Sequence, residues 1–285
     1  MKSFTFNRQL LLIMFMLLNC FTSYASDDNL ITKQTIVNLT EAGTLQNKIA
    51  YSEKYLITNL KIIGEINGTD LCLIRDMAGS YVTGEKTPGK LSILDLSETK
   101  IVEGGDYYYT DYFEDKQYTK NDTLGNWTFA WCKSLTTVII PTSIAAIGRG
   151  TFYYCSNLAT IDIPSNVTEI GSSAFVNCTE LTSIYMYSTE FLTIGFIGED
   201  AFKGCNANNC TVYVPKGTLD AYSKSKFNYF KNIVEFEATS INKATSNGVK
   251  EISRYNSNGQ QLTTPTKGIN VIKYSDGSIR KVIVK

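Results

Sequence analysis

From Thr128 onward the apolar positions of this chain follow one schedule. "TFAWCKSLTTVIIP" begins at Thr128, and "TFYYCSNLATIDIP" begins 23 residues later at Thr151, with Phe, Cys, Leu and two inward aliphatics in the same places. "AFVNCTELTSIYMY" from Ala174 and "AFKGCNANNCTVYVP" from Ala201 say it again. Inside each unit the spacing predicts a strand. In "LATIDIP", Leu158, Ile161 and Ile163 face a core, Thr160 and Asp162 face outward by strand alternation, and Pro164 ends the run. A second apolar pair, Val167 and Ile170, predicts a return along an opposite wall, with Gly171 at the corner. Phe152 then fills the interior from a turn or short helix.

Self-similarity at this period predicts a solenoid, each unit being one coil whose apolar face is covered by its neighbours. The regular coils are 126–148, 149–171, 172–198 and 199–222, the third lengthened at "YSTEFLTIGFIG". Coils stacked about 4.8 Å apart bring equivalent residues into columns. One outward column is then Ile93, Thr137, Thr160, Ser183 and Thr211; its neighbour is Asp95, Ile139, Asp162, Tyr185 and Tyr213. Hydroxyls, acids and aromatic rings in fixed rows suit a protein or glycan partner, so these are candidate binding residues. The competing reading is that Thr and Ser favour exposed strand positions in any case.

Ahead of the array, "YLITNLKII" and "KLSILDLSET" read as strands. "TDLCLIRDMAG" reads as a helix with Thr69 or Asp70 as N-cap, Leu71, Ile74 and Met77 on one face, and Gly79 as the stop. The following "VEGGDYYYTDYFEDKQYTKNDTLGNW" has no apolar period and is expected to be an exposed loop whose Tyr107, Tyr108 and Tyr109 form a second candidate contact surface. Its acids match no calcium-loop spacing. Residues 239–285 carry short alternating strands separated by "NSNG" and "SDG", hairpin signals of a small β module.

Composition narrows the chemistry. The chain has no histidine, which removes His-activated nucleophiles and His-ligated metals; no catalytic residue, metal or cofactor is expected. A β-solenoid lyase would need basic groups beside acids, and the two outward columns contain no Lys or Arg. Basic and acidic residues number 27 each, which argues against nucleic acid as a partner. Lys2 and Arg8 precede an apolar run from Leu10 to Leu18 and then "SYAS", the layout of a signal peptide over 1–25 cleaved near Ala25. Its removal leaves 25 basic against 27 acidic residues and implies export, with peripheral association at a cell surface. Cys20 in "LLNC" has lipoprotein depth, but Asn19 departs from the small residue such signals use. Export would permit disulfides, yet Cys132, Cys155, Cys178 and Cys205 occupy one repeat position, which predicts a ladder of buried thiols. Cys205 and Cys210, spaced C-x4-C, either close a small disulfide or stay free.

The skeleton "AFxxCxxLxxIxIPxxVxxIG" resembles the leucine-rich repeats of BspA-like bacterial surface proteins. "GTLDAYSKSKFNYFKNIVEF" is similar to the segment that closes such arrays, and "INGTDLCLIRDMAG" and "LDLSETKIVEGG" are similar to their leader coils. The match runs from about residue 36 to 236. It implies a mainly β fold with short helices, a right-handed leucine-rich-repeat solenoid, followed here by the small β module. It also implies display at or release from a bacterial cell surface, with adhesion to host or bacterial proteins and glycans. A structural or immune-interacting surface component without a single ligand is the alternative. Residues 26–125 are expected to hold an N-terminal cap and degenerate repeats, and 126–238 the regular repeats and closing coil. Tyr187 departs from the family's proline, and the fourth repeat loses its L-x-x-I opening to "NNCTV". "KGINVIKYSDGSIRKVIVK" resembles the C-terminal tails of type IX secretion substrates.

Overall fold

The computed structural model describes residues 29–189, 196–236, 251–256, 261–262, 264, 268–274 and 279–284. The signal-like segment 1–25 and the centre of the lengthened third coil, 190–195, lie outside them. Eight strands form one parallel sheet: β1 (Thr35–Asn38), β2 (Asn59–Ile66), β3 (Ile93–Ile101), β7 (Thr137–Ile139), β9 (Thr160–Ile163), β11 (Ser183–Met186), β13 (Thr211–Pro215) and β14 (Asn232–Phe236), in that spatial order. A second parallel sheet of two-residue strands forms the opposite wall, from β6 (Thr123–Leu124) through β8 (Ala146–Ile147) and β10 (Glu169–Ile170) to β12 (Phe196–Ile197). The chain is a parallel β-solenoid, with a strand in every coil on the first wall and in four coils on the second.

The register explains the recurrent sequence. Val138, Ile161, Ile184 and Val212 are partners across successive strands and all are buried. Ile147 and Ile170 do the same on the far wall. Between the walls the rings of Phe129, Phe152, Phe175 and Phe202 stack coil on coil at 5.6, 5.2 and 5.6 Å between centroids. Three cysteines of the ladder each reach back one coil. The thiols of Cys155, Cys178 and Cys205 donate to the carbonyls of Phe129, Phe152 and Phe175 at 3.0 to 3.1 Å. All six described cysteines are free thiols, so Cys205 and Cys210 are not bridged. Burial raises the Cys132 thiol to about 11, and it holds Cys155 and Cys178 protonated far above neutrality.

Gly148, Gly171 and Gly198 are required by contact more than by turn geometry. A Cβ on Gly171 would lie 2.5 Å from the Arg149 backbone nitrogen and 2.6 Å from the Gly148 carbonyl carbon. The column is where backbone of one coil meets backbone of the next, and the Gly171 N–H donates to Ile147 O at 2.7 Å.

The two ends are closed differently. At the start, helix α1 (Gly68–Met77) is capped by Asn67, which accepts from Thr69 N–H, while Asp70 returns a bond to the Asn67 N–H. The cap is therefore Asn67, two residues before Thr69 and three before Asp70. The Asp70 carboxylate also accepts from Gly43 and Leu45 N–H groups at 2.6 and 2.9 Å, which ties down the chain after β1. At the other end, helix α2 (Leu219–Ser223) and the turn after it bring Phe227 and Phe230 onto Phe202, at 5.1 Å each. The C-terminal β module is a four-stranded antiparallel sheet of β15 (Glu251–Asn256), β16 (Gln261–Leu262), β17 (Gly268–Tyr274) and β18 (Ile279–Val284).

The Tyr-rich stretch is not a loop. β4 (Gly104–Thr110) and β5 (Lys116–Thr119) pair as an antiparallel hairpin packed on α1. Its turn is set by Asp111, whose carboxylate accepts from Phe113 and Asp115 N–H groups.

Candidate functional site

The outward columns stand in the register the sequence implies. Ile93, Thr137, Thr160, Ser183 and Thr211 are successive partners, as are Asp95, Ile139, Asp162, Tyr185 and Tyr213. Thr137, Ile139, Thr160, Asp162, Ser183, Tyr185, Thr211 and Tyr213 are each partly exposed.

Asp95 requires a correction. It is 1% exposed, its carboxylate accepts from Ser97 N–H and hydroxyl, and Lys61 lies 3.6 Å away. Lys61 is also paired with Glu98 at 2.5 Å. The N-terminal end of the face is thus occupied by its own ion-pair cluster, and Asp95 offers no carboxylate to a partner.

At the C-terminal end the face opens onto aromatic rings. Tyr185 and Tyr213 stack nearly parallel, with centroids 4.4 Å apart and planes 8° apart. Phe236 meets Tyr185 and Tyr187 edge-on at 6.1 and 5.7 Å. Tyr187 stands where its sister coils carry Pro141 and Pro164, and the side chain extends this cluster. Burial, then Tyr213 and Asp162, raise the Tyr185 hydroxyl; burial, then Asp162 and Tyr185, raise Tyr187. These phenols stay neutral donors beside a carboxylate. Among the polar atoms of the face, Asn59 Oδ1 and Thr160 Oγ1 are buried with no hydrogen bond.

Tyr108 and Tyr109 are also corrected. Tyr108 is 1% exposed and donates to Asn126 O at 2.9 Å, and burial raises its hydroxyl to about 12. Tyr109 lies under Trp127 and Trp131, at 5.9 and 6.0 Å. Both are packing residues because the hairpin lies flat on the first coils. Tyr107 remains partly exposed, edge-on to Tyr118 at 6.4 Å. The exposed aromatics of this region are Tyr112 and Phe113 at the hairpin turn and Tyr118 on β5.

One feature escaped sequence reading. Trp127, Gly150, Ser173 and Asp200 share a repeat position and φ values of 55 to 61°. Trp131, Tyr154 and Asn177 share another at 58 to 60°, with Gly204 at 80°. Left-handed backbone is costly for bulky side chains. It persists because the N–H groups of Trp127, Trp131 and Tyr154 each donate to a carbonyl of the next coil. The rings of Trp127, Tyr154 and Tyr109 each lie within 19° of parallel to Trp131, forming an aromatic tile centred on it. The only hint in the sequence was the excess of aromatics around Cys132 and Cys155.

Among the described residues no three His, Cys, Asp or Glu side chains are grouped to hold a metal, and no helix is long and apolar enough to cross a membrane. Residues 105–233 match the BspA type leucine rich repeat region in six copies. Among solved structures, a leucine-rich repeat protein from Bacteroides ovatus aligns at 20% identity over 65% of this chain, with a TM-score of 0.34. The chain spans half the length of that protein. No curated protein sequence matches the chain.

Proposed function

Starting from a BspA type leucine-rich repeat region over residues 105–233, we propose that this chain is an exported, non-catalytic binding module. It recognises a protein partner at a bacterial cell surface through the C-terminal half of its strand face. The observation that carries this reading is the stacked pair Tyr185 and Tyr213 in register with Asp162 on a rigid parallel sheet. Tyrosines supply contact area at low entropic cost and keep a hydroxyl for directional bonding, while the threonine and serine column adapts its hydrogen bonds. The scaffold holds these groups in place before binding, so little ordering cost is added on association. The signal-like N-terminus supports export, and the face supports adhesion as the use of that binding.

The test is attachment of the full chain to a panel of immobilised extracellular matrix and bacterial surface proteins, compared with Tyr185→Ala/Tyr213→Ala. Loss of at least tenfold in affinity is expected from a double variant that still unfolds in one cooperative transition above the assay temperature. Full attachment by a folded double variant overturns the reading.

A further inference from the structure

A second surface lies away from the strand face. After α1 the chain turns back as a flap, with Gly79 and Gly84 at φ +94° and +84°. The Tyr81 N–H donates to Glu85 O at 2.8 Å and the Thr87 N–H to Gly79 O at 3.1 Å. The flap faces the turns that precede β7 and β9, and the two enclose a cleft of about 680 Å³. That is the size range of small-molecule sites, about 300–1,000 Å³. Lys86 and Lys90 line it from the flap; Trp131, Lys133, Ser134 and Asn157 line it from the turns. No Asp or Glu is among the lining residues. Lys86 and Lys133 are exposed and have no ion pair among the described residues. In a chain whose charges otherwise balance, this is a local concentration of unneutralised positive charge.

The walls are fixed before any ligand arrives. Trp131 is partly buried and held by near-parallel Tyr109, Trp127 and Tyr154. Ser134 donates its hydroxyl to Gly89 O at 2.7 Å and its N–H to Ala78 O at 3.2 Å, joining flap to turn. We propose that this cleft binds an acidic saccharide. Its carboxylate or sulfate is held by Lys86 and Lys133, the apolar face of a sugar ring lies against Trp131, and its hydroxyls bond Ser134 and Asn157. Ammonium groups supply point charges for an anion, and a flat indole matches the C–H face of a pyranose. An extended acidic peptide is disfavoured because it would need free backbone groups along an edge. Those of Tyr81, Gly84 and Thr87 already bond within the flap.

The experiment measures binding of the full chain to polygalacturonate, heparin, dextran and polyglutamate at low and high salt. Retention by one or both acidic polysaccharides and not by dextran is expected; retention on polygalacturonate shows that a carboxylate suffices, and retention on heparin alone identifies sulfate as the anion. Lys86→Gln/Lys133→Gln, confined to exposed side chains, is expected to weaken that binding at least tenfold, and raised salt to weaken it further. Tyr185→Ala/Tyr213→Ala is expected to leave it unchanged, so this site and the strand face fail or stand separately. No retention on either acidic polysaccharide, equal retention on dextran, equal retention on polyglutamate, or unaltered binding by the folded lysine variant overturns the proposal.

Discussion

The Arg75 guanidinium donates to the Trp127 carbonyl at 2.9 Å, joining α1 to the first regular coil across 52 residues of chain. The same group bonds the carbonyls of Thr128, Ala130 and Tyr81 and faces the Tyr109 ring at 5.3 Å. It is fully buried, and these carbonyls take the place of a carboxylate partner. Arg75→Met would strand the Thr128 and Ala130 carbonyl oxygens and remove one donor each from those of Trp127 and Tyr81, which keep the Ala130 and Gly84 N–H groups. A loss of about 3–5 kcal/mol in unfolding free energy is expected, with Arg75→Lys recovering only part. Denaturant titration of the two variants measures it, and a loss under about 1 kcal/mol for Arg75→Met would contradict this role.

Phe152 sits between Phe129 and Phe175 in the aromatic ladder and is fully buried. Its neighbours on both sides are fixed by inter-coil hydrogen bonds, so the space left by Phe152→Ala cannot collapse. About 3–5 kcal/mol of stability should be lost, read by the same titration.

Tyr154 is more than a third exposed and holds φ 58°, while Gly204 fills the same repeat position. Tyr154→Gly removes backbone strain of about 1 kcal/mol and little buried area. Stability equal to or slightly above wild type is expected; a drop beyond about 1 kcal/mol would mean that its stacking on Trp131 outweighs the strain.

Tyr185 and Tyr213 should be energetically coupled. A double-mutant cycle with alanine at each position is expected to give about 0.5–1.5 kcal/mol of interaction, measured by thermal unfolding. A coupling near zero would make the 4.4 Å stack incidental to stability.

Alkaline pH should unfold the chain through its buried donors. Cys132 is raised from 9.0 to about 11 and Tyr108 from 10.0 to about 12. The folded state binds these protons more tightly than the unfolded state. Their contribution is therefore whole below pH 9 and is lost as pH climbs through 11 and 12. Unfolding midpoints should be insensitive to these groups at neutral pH and fall across pH 9 to 12. Thiol labelling of native chain at pH 8 should be slow at the ladder cysteines; fast labelling would mean they are not enclosed.

Reading by residue type had clear reach and clear limits. The columns through Thr160 and Asp162 follow from period and alternation alone, because a solenoid repeats one local solution and register cannot slip without exposing Ile161 and Ile163. Tyr108 and Tyr109 defeated the same reasoning. Their hairpin has no counterpart in the repeat, and its packing partners, Trp127, Trp131 and Arg75, are distant in sequence. Asp95 failed because Lys61, in another strand, decides whether that carboxylate meets solvent.

The sequence by itself determined the coil period, the inward Phe, Cys and Ile columns, the outward rows and the glycine corners, since all of these are consequences of short-range pattern repeated at fixed spacing. Only the tertiary structure decided which outward residues stay accessible, that the Tyr-rich stretch pairs into a hairpin, and that left-handed Trp127, Trp131 and Tyr154 assemble one tile beside a lysine-lined cleft. Those outcomes depend on contacts between segments far apart in the chain, and burial and charge neutralisation at such contacts have no period for a sequence to display.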